Sequence, residues 1–110
     1  IDNIMDKWLF FKTAADDSVC LPVRRLIEME MDGNGTDLDV RFKAPAGGDD
    51  GVGEYELVLT IADDTGKTVM NTVASEIRSG KSPFVVVVDD VASEFLDTNI
   101  ASCGAIAAIS

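Results

Sequence analysis

The chain has 110 residues, of which 46% are hydrophobic, and its twenty acidic against nine basic side chains give a formal net charge of −11. This length and apolar content predict a single domain over residues 1–110, with a core that buries roughly 65% of the unfolded surface. The negative charge repels phosphate backbones and therefore disfavours nucleic acid as a partner, without removing that hypothesis. The longest wholly apolar run, residues 84–88, is too short to cross a bilayer, so no membrane partner is expected.

The start of the sequence and its two cysteines bear on the compartment. No basic region followed by an apolar stretch opens the sequence, so we expect no secretion signal and a cytoplasmic location. Cys20 and Cys103 fit no metal-binding spacing. We expect free thiols, and a disulfide remains an alternative if the two strands that carry them pair.

The first strand is predicted over residues 7–14, KWLFFKTA, where four consecutive apolar residues indicate that both faces are covered. A turn follows at residues 15–18. Residues 19–32 are interpreted as a second strand with a bulge near Arg24 and Arg25, because the alternation in its second half continues into the next segment. The alternative is a helix that begins at Pro22.

Residues 26–43, LIEMEMDGNGTDLDVRFK, predict a β-hairpin. Asn34-Gly35 suits the positive φ angles of a two-residue type I′ turn. Alternation then gives the hairpin one apolar face and one charged face. The predicted apolar pairs are Met31–Leu38, Met29–Val40 and Ile27–Phe42, and the charged pairs are Glu30–Asp39 and Glu28–Arg41.

The next two segments are a loop and a strand. Residues 44–53, APAGGDDGVG, are predicted to form a loop because they contain four glycines and a proline. Residues 54–62 alternate strictly and predict a strand. Its apolar face consists of Tyr55, Leu57, Leu59 and Ile61.

One helix is predicted over residues 67–79, with Asp64 or Thr65 as its N-cap and Gly80 ending it in a left-handed conformation. Its apolar stripe consists of Val69, Met70, Val73 and Ile77. Residues 84–89 contain four consecutive valines and predict a strand buried on both faces, one of them covered by the helix. Residues 91–98 are predicted to be a loop. Residues 99–109 fit a last strand or a short apolar helix, and the strand is preferred.

These elements predict a mainly β (α+β) fold with one helix between the fourth and fifth strands. A strongly curved antiparallel sheet or barrel of five to six strands would leave no exposed edges. The alternative is a sheet with one face covered by the helix.

Catalytic motifs are missing from the sequence. It has no histidine, and neither the Walker pattern nor GxGxxG occurs. We therefore predict that the protein is not an enzyme, and we assign no catalytic, cofactor-binding or metal residues and no cofactor.

The tip of the hairpin crowds oxygen ligands together, at Asp32, Asn34, Thr36, Asp37 and Asp39. A hard cation such as calcium would relieve the repulsion between their carboxylates. The EF-hand pattern is absent, however, because the sixth position counted from Asp32 is Asp37 and the twelfth is Lys43. The preferred interpretation is a solvated turn whose acids keep the sheet edge from aggregating.

Aromatic and basic side chains near each other would suggest a surface for single-stranded nucleic acid. Trp8, Phe10 and Phe11 form the only aromatic group, and the local basic clusters are Arg24-Arg25 and Arg78/Lys81. The preferred interpretation places the three aromatic residues in the core.

The predicted strand order and size resemble the small barrels of the Sm-like family. That resemblance implies assembly into rings through edge strands, and RNA binding. The helix over residues 67–79 stands where the family has a short turn, and the family's glycine motif has no counterpart near Phe84.

The chain also resembles short proteins of marine tailed phages. The shared features are the aromatic first strand KWLFFK, a glycine-containing loop, a helix of the pattern TVxxxVxxxI and a valine strand. In this chain Thr68, Val69, Val73 and Ile77 provide the helix pattern. The resemblance implies a virion or assembly component.

The leading hypothesis is thus a non-enzymatic module that forms homo-oligomers, such as a viral structural or assembly protein. The alternatives are an Sm-like module that binds RNA or single-stranded nucleic acid, and an acidic module that binds a cation.

Overall fold

Two β-sheets and one helix make up the part of the chain that this computed structural model describes, which is residues 7–33, 35–43, 53–104 and the backbone of 107–109. Sheet A has the strand order β2 (Asp17–Pro22), β1 (Trp8–Ala14), β6 (Phe84–Asp89) and β7 (Glu94–Phe95). Sheet B has the order β3 (Leu26–Met31), β4 (Asp37–Lys43), β5 (Glu54–Ile61) and β8 (Ile100–Cys103), and β9 (Ala107–Ile109) also pairs with β5. Helix α1 (Gly66–Ser79) joins β5 to β6. The predicted mainly β fold with one helix is confirmed.

The predicted barrel and the count of five to six strands are wrong. Within the described residues nine strands form two separate sheets, and no backbone ladder closes them into a barrel. The division begins at Pro22, which has no N–H to donate to a ladder and ends β2. A 3₁₀ turn, Val23–Arg25, follows where a bulge was predicted, and it carries the chain from sheet A to sheet B.

The centre of sheet A is a parallel pair, which corrects the predicted antiparallel sheet. Strand β1 lies between β2, which is antiparallel to it, and β6, which is parallel to it. Trp8 is aligned with Phe84 at one end of the parallel pair, and Lys12 with Asp89 at the other. Two neighbouring strands of seven and six residues are therefore brought together from distant parts of the chain.

The hairpin of β3 and β4 has the predicted register along most of its length. Met31 pairs with Leu38 and Met29 with Val40, and both predicted charged pairs also form. The predicted pair Ile27–Phe42 is wrong, because the register shifts and Leu26 takes that place. Ile27 is instead 46% exposed.

Of the two residues of the predicted type I′ turn, the structure describes Gly35. The N–H of Gly35 donates to the carbonyl of Asp32 over 3.3 Å. Gly35 has a φ of +81°, which is the left-handed conformation expected for it. Asn34, the other residue of the predicted turn, lies outside the described residues, as does the predicted loop of residues 44–53 apart from Gly53.

Helix α1 begins one residue before its predicted start and ends where it was predicted to end. Thr65 occupies the N-cap position, but its hydroxyl donates to the Ala62 carbonyl over 2.6 Å and does not cap the helix. The predicted left-handed end is wrong, because Gly80 is extended, with φ −65° and ψ 148°. Val69 and Val73 are buried, and the other two residues of the predicted stripe pack against the core.

The core lies between the two sheets. The rings of Phe11 in sheet A and Phe42 in sheet B meet edge to face, with their centroids 5.8 Å apart. Strand β5 alternates as predicted, with Leu57, Leu59 and Ile61 buried. The segment predicted as a loop at residues 91–98 contains the short strand β7, and the last predicted strand is divided into β8 and β9.

Lys7 connects sheet A to the end of the helix. Its side chain is 4% exposed, and its amine donates to the carbonyls of Glu76, over 2.9 Å, and Gly80. These carbonyls lie at the C-terminal end of α1, where the helix dipole favours a positive charge. The amine thereby holds the end of α1 beside the start of β1.

Candidate binding surface

The outer face of sheet A carries a group of aromatic and apolar side chains. Trp8 is 39% exposed and Phe84 49% exposed, and the two are neighbours in the parallel pair. Phe10 is half-buried, and the centroid of its ring is 5.4 Å from that of Phe84. Val86 is aligned with Phe10. We call Trp8, Phe10, Phe84 and Val86 the aromatic patch.

The aromatic patch corrects two expectations from the sequence. The run of apolar residues in β1 predicted that both faces are covered, yet only Leu9 and Phe11 are fully buried. Trp8 and Phe10 alternate with them and therefore lie on the opposite face of the sheet. The placement of Phe11 in the core is confirmed, and that of Trp8 is wrong. Phe84 was missed because parallel pairing with β1 leaves no signal in a local pattern.

Four basic residues belong to segments that meet at the end of sheet A where β1 and β6 begin. The guanidinium of Arg24 lies 6.0 Å from the centre of the Trp8 ring, within the range of a cation–π contact. The Val23 N–H donates to the Lys7 carbonyl over 2.9 Å, which brings the 3₁₀ turn with Arg24 and Arg25 to this end. The contact of the Lys7 amine with Gly80 also brings in Arg78 and Lys81 on either side of that glycine. We call Arg24, Arg25, Arg78 and Lys81 the basic end.

Acidic side chains collect at the other end of sheet A, where β1 and β6 finish. The N–H of Asp90 donates to the Lys12 carbonyl over 3.0 Å, beside the turn between β1 and β2. Asp89 pairs with Glu94 of β7. We call Asp16, Asp17, Asp89, Asp90 and Glu94 the acidic end. Val91 follows Asp90 directly and is 57% exposed, so this end also offers an apolar side chain to solvent.

Both cysteine thiols have raised pKa values. Burial raises the pKa of Cys103 to about 12, and the carboxylates of Asp90 and Asp17 add to the effect. Cys20 is half-buried and is aligned with Phe10 on the outer face of sheet A, and burial raises its pKa as well. Both thiols are free. The N–H of Cys103 donates to a carboxylate oxygen of Asp90 over 2.9 Å, which places this carboxylate of the acidic end beside the buried cysteine.

The outer face of sheet B is charged. Arg41 contacts four carboxylates, those of Glu28, Glu30, Asp39 and Glu56; its Nε donates to Glu56 over 2.8 Å. The hydrogen bonds that Arg41 donates to Glu30, Glu56 and Glu28 raise the pKa of Arg41 above its ordinary value. Burial, followed by the charge of Glu56, raises the pKa of Asp39 in spite of Arg41. One guanidinium thus pairs with four carboxylates, so the net charge of this face is negative.

The residues predicted to crowd the hairpin tip are only partly brought together. The N–H of Asp32 donates to the Asp37 carbonyl over 2.9 Å, whereas Asp39 faces Arg41 further down the strand. No group of three or more acidic or cysteine side chains in the described segments is arranged to hold a metal ion. Asn34 lies outside those segments. Cation binding therefore stays a prediction, and a calorimetric calcium titration that gives no heat would contradict it.

A methionine-lined groove opens between β3 and α1. Its volume is about 890 Å³, and Met29, Met31 and Met70 provide its apolar lining. Lys67, Thr68 and Asn71 line it along the helix. Flexible thioether side chains adapt to many shapes, which suits a soft apolar contact.

Compared with known proteins, the chain matches no family model, no curated protein and no solved structure. Within the described residues, no helix is both long and apolar enough to cross a membrane. What the chain does is therefore inferred from its own surfaces.

Proposed function

We propose that this protein is a non-enzymatic module that associates with copies of itself through the aromatic patch. The observation that carries the proposal is the exposure of Trp8 and Phe84, two large apolar side chains side by side on an open sheet face. Contiguous exposed apolar surface is a mark of protein–protein contact. A structural or assembly component, of the kind that the phage resemblance implies, would use such a face.

The aromatic patch is too small to form a standard protein–protein interface by itself. An aromatic side chain buries about 150–250 Å² when it is fully enclosed. Trp8, Phe10 and Phe84 are already partly enclosed within the monomer. They can therefore supply only a minority of the roughly 800 Å² per partner of a standard interface. The contact must extend beyond the aromatic patch to neighbouring side chains.

Trp8 is the only tryptophan in the chain, so its fluorescence reports on the patch itself. As the protein concentration rises, we expect the emission to move to shorter wavelength while light scattering shows a growing mass, because association removes water from the indole. Phe84→Ser keeps the reporter and should weaken association more than about tenfold, which corresponds to about 1.4 kcal/mol. Ile27→Ser, also at an exposed apolar position but in sheet B, is the control and should change nothing.

The two thiols provide an independent measurement. Cys20 lies beside Phe10, so its alkylation rate should fall as the protein associates, whereas Cys103, which is buried in the monomer, should react slowly at every concentration. A monomeric mass and unchanged emission at the highest attainable concentration would contradict the proposal.

A second candidate is binding of single-stranded nucleic acid, favoured by the position of Arg24 over the exposed Trp8 ring. Stacking on an aromatic side chain contributes about 1–3 kcal/mol per base. The formal net charge of −11 opposes the approach of phosphates. The test is a titration with single-stranded RNA at low salt, read by quenching of Trp8. Absence of quenching would remove this candidate.

A further inference from the structure

We propose that the copies associate head to tail, with the basic end and aromatic patch of one copy docked on the acidic end of the next. This inference rests on the proposed self-association and adds its partner surface. The two surfaces lie at opposite ends of sheet A, because Trp8 is aligned with Phe84 at one end and Lys12 with Asp89 at the other. A seven-residue strand such as β1 separates them by roughly 20 Å.

The charges favour this arrangement over a symmetric one. A two-fold contact centred on the aromatic patch, with its axis along the strands, would bring Arg78 and Lys81 of one copy towards the same residues of the other. Like charges face to face across an interface oppose association. The acidic end offers the opposite sign, with Asp16, Asp17 and Glu94 at its surface. It is also a suitable partner because the basic end brings together four of the nine basic residues of the chain.

The apolar contacts are complementary as well. Among the described residues, Val91 is the most exposed of the large apolar side chains, and the acids of the acidic end surround it in sequence. Its backbone is held in place, since the N–H of Val91 donates to a carboxylate oxygen of Asp89 over 3.1 Å. Docking would bring Val91 against Trp8 and Phe84, with basic and acidic side chains around that contact. Such an apolar centre within a polar rim is the usual anatomy of an interface.

A head-to-tail contact leaves one free head and one free tail on every complex. Repetition of a heterologous contact gives a ring where the rotation closes and an open filament where it does not. The structure therefore assigns to this chain a route to assemblies larger than a dimer. Their growth should weaken as salt is added, because salt screens charges at the surface.

The test uses one variant at each end. Phe84→Glu places an acid in the aromatic patch, and Val91→Lys places a base in the acidic end. Both positions are exposed, so the fold should tolerate the changes, and circular dichroism checks that it does. Each variant alone should associate more than about tenfold more weakly than the unmodified protein. An equimolar mixture should form dimers and stop there, because the intact tail of one variant meets the intact head of the other.

Three results separate the proposals. If the unmodified protein stays monomeric, self-association itself is wrong and the head-to-tail contact falls with it. If Val91→Lys assembles as the unmodified protein does, the contact is symmetric and the head-to-tail arrangement is overturned while self-association stands. If both variants are monomeric and their mixture is too, the two intact surfaces do not bind each other and the arrangement is again overturned. Where a variant fails to fold, Lys81→Glu and Glu94→Lys replace the pair at the same two ends.

Discussion

Asp97 shows how one buried carboxylate joins helix α1 to the segment that precedes β8. It is 8% exposed and accepts hydrogen bonds from the Thr72 hydroxyl of α1 and from the backbone N–H and side-chain amide of Asn99. The bond from Thr72, followed by that from the backbone of Asn99, lowers the pKa of Asp97. The ionised form is therefore the one that the folded state prefers.

The stability that Asp97 contributes should depend on pH with a defined sign. Because its pKa is lower in the folded state, the contribution is complete above the unfolded value, about 3.9, and is lost as the pH falls through the folded value. We expect Asp97→Asn to lower the free energy of unfolding at pH 7 by about 1–3 kcal/mol. Below about pH 4, the free energy of unfolding of the variant should approach that of the unmodified protein. Urea unfolding at pH 7 and pH 3 measures both. Asp16→Asn, in an exposed turn, is the control, and an equal loss at the two pH values would contradict the argument.

At the scale of the element, the hairpin of β3 and β4 depends on one glycine of its turn and not on the other. Gly35 has a φ of +81°, and a Cβ there would lie 2.8 Å from a carboxylate oxygen of Asp63. Gly33 has no heavy atom within 4 Å of the same position. The two glycines thus form a matched pair in one turn.

Gly35→Ala should lower the free energy of unfolding by about 1–2 kcal/mol, since a side chain is disfavoured in the left-handed region. Gly33→Ala should change it by less than about 0.5 kcal/mol, as is usual for a surface position. Chemical denaturation of both variants compares them directly. Equal effects would show that the turn imposes no conformation on Gly35.

The same hairpin shows which strand pairs an alternating sequence pattern can predict and which it cannot. Alternation specified the pairs of Met31 and Met29 because a shift by one residue would turn apolar side chains to solvent. It failed at Ile27, where the constraint came from the 3₁₀ turn before the strand. The aromatic patch was beyond a local pattern altogether, since the exposure of Trp8 depends on which elements lie over sheet A. The alternation of side chains assigns the residues of β1 to two faces, but it does not indicate which face is exposed to solvent.

At the scale of the whole molecule, Lys7 holds the helix against sheet A. Burying an ammonium group is costly unless its hydrogen bonds are met, and here the carbonyls of Glu76 and Gly80 meet them. No buried side-chain nitrogen or oxygen in the described segments lacks a hydrogen-bond partner. Strand, helix and basic end are thereby fixed in one arrangement.

We expect Lys7→Met to lower the free energy of unfolding by about 2 kcal/mol, because hydrogen bonds from a charged group contribute roughly 1.5–3 kcal/mol. Lys43→Met, at an exposed position in sheet B, is the control and should change it by less than about 0.5 kcal/mol. Thermal and urea unfolding at low protein concentration measure both variants as monomers. A loss no larger than that of the control would mean that the helix end is held by its apolar side chains alone.

The parallel pairing of β1 with β6 delays the completion of sheet A during synthesis of the chain. Strands β3, β4 and β5 follow one another and pair with their neighbours in sequence, so this part of sheet B can form while synthesis continues, before β8 and β9 complete the sheet. Sheet A must wait until residues 84–89 have left the ribosome, and during that interval one whole side of β1 has no strand beside it. An unpaired aromatic strand invites misassembly, and the surplus of negative charge keeps such nascent chains apart until the missing neighbour arrives.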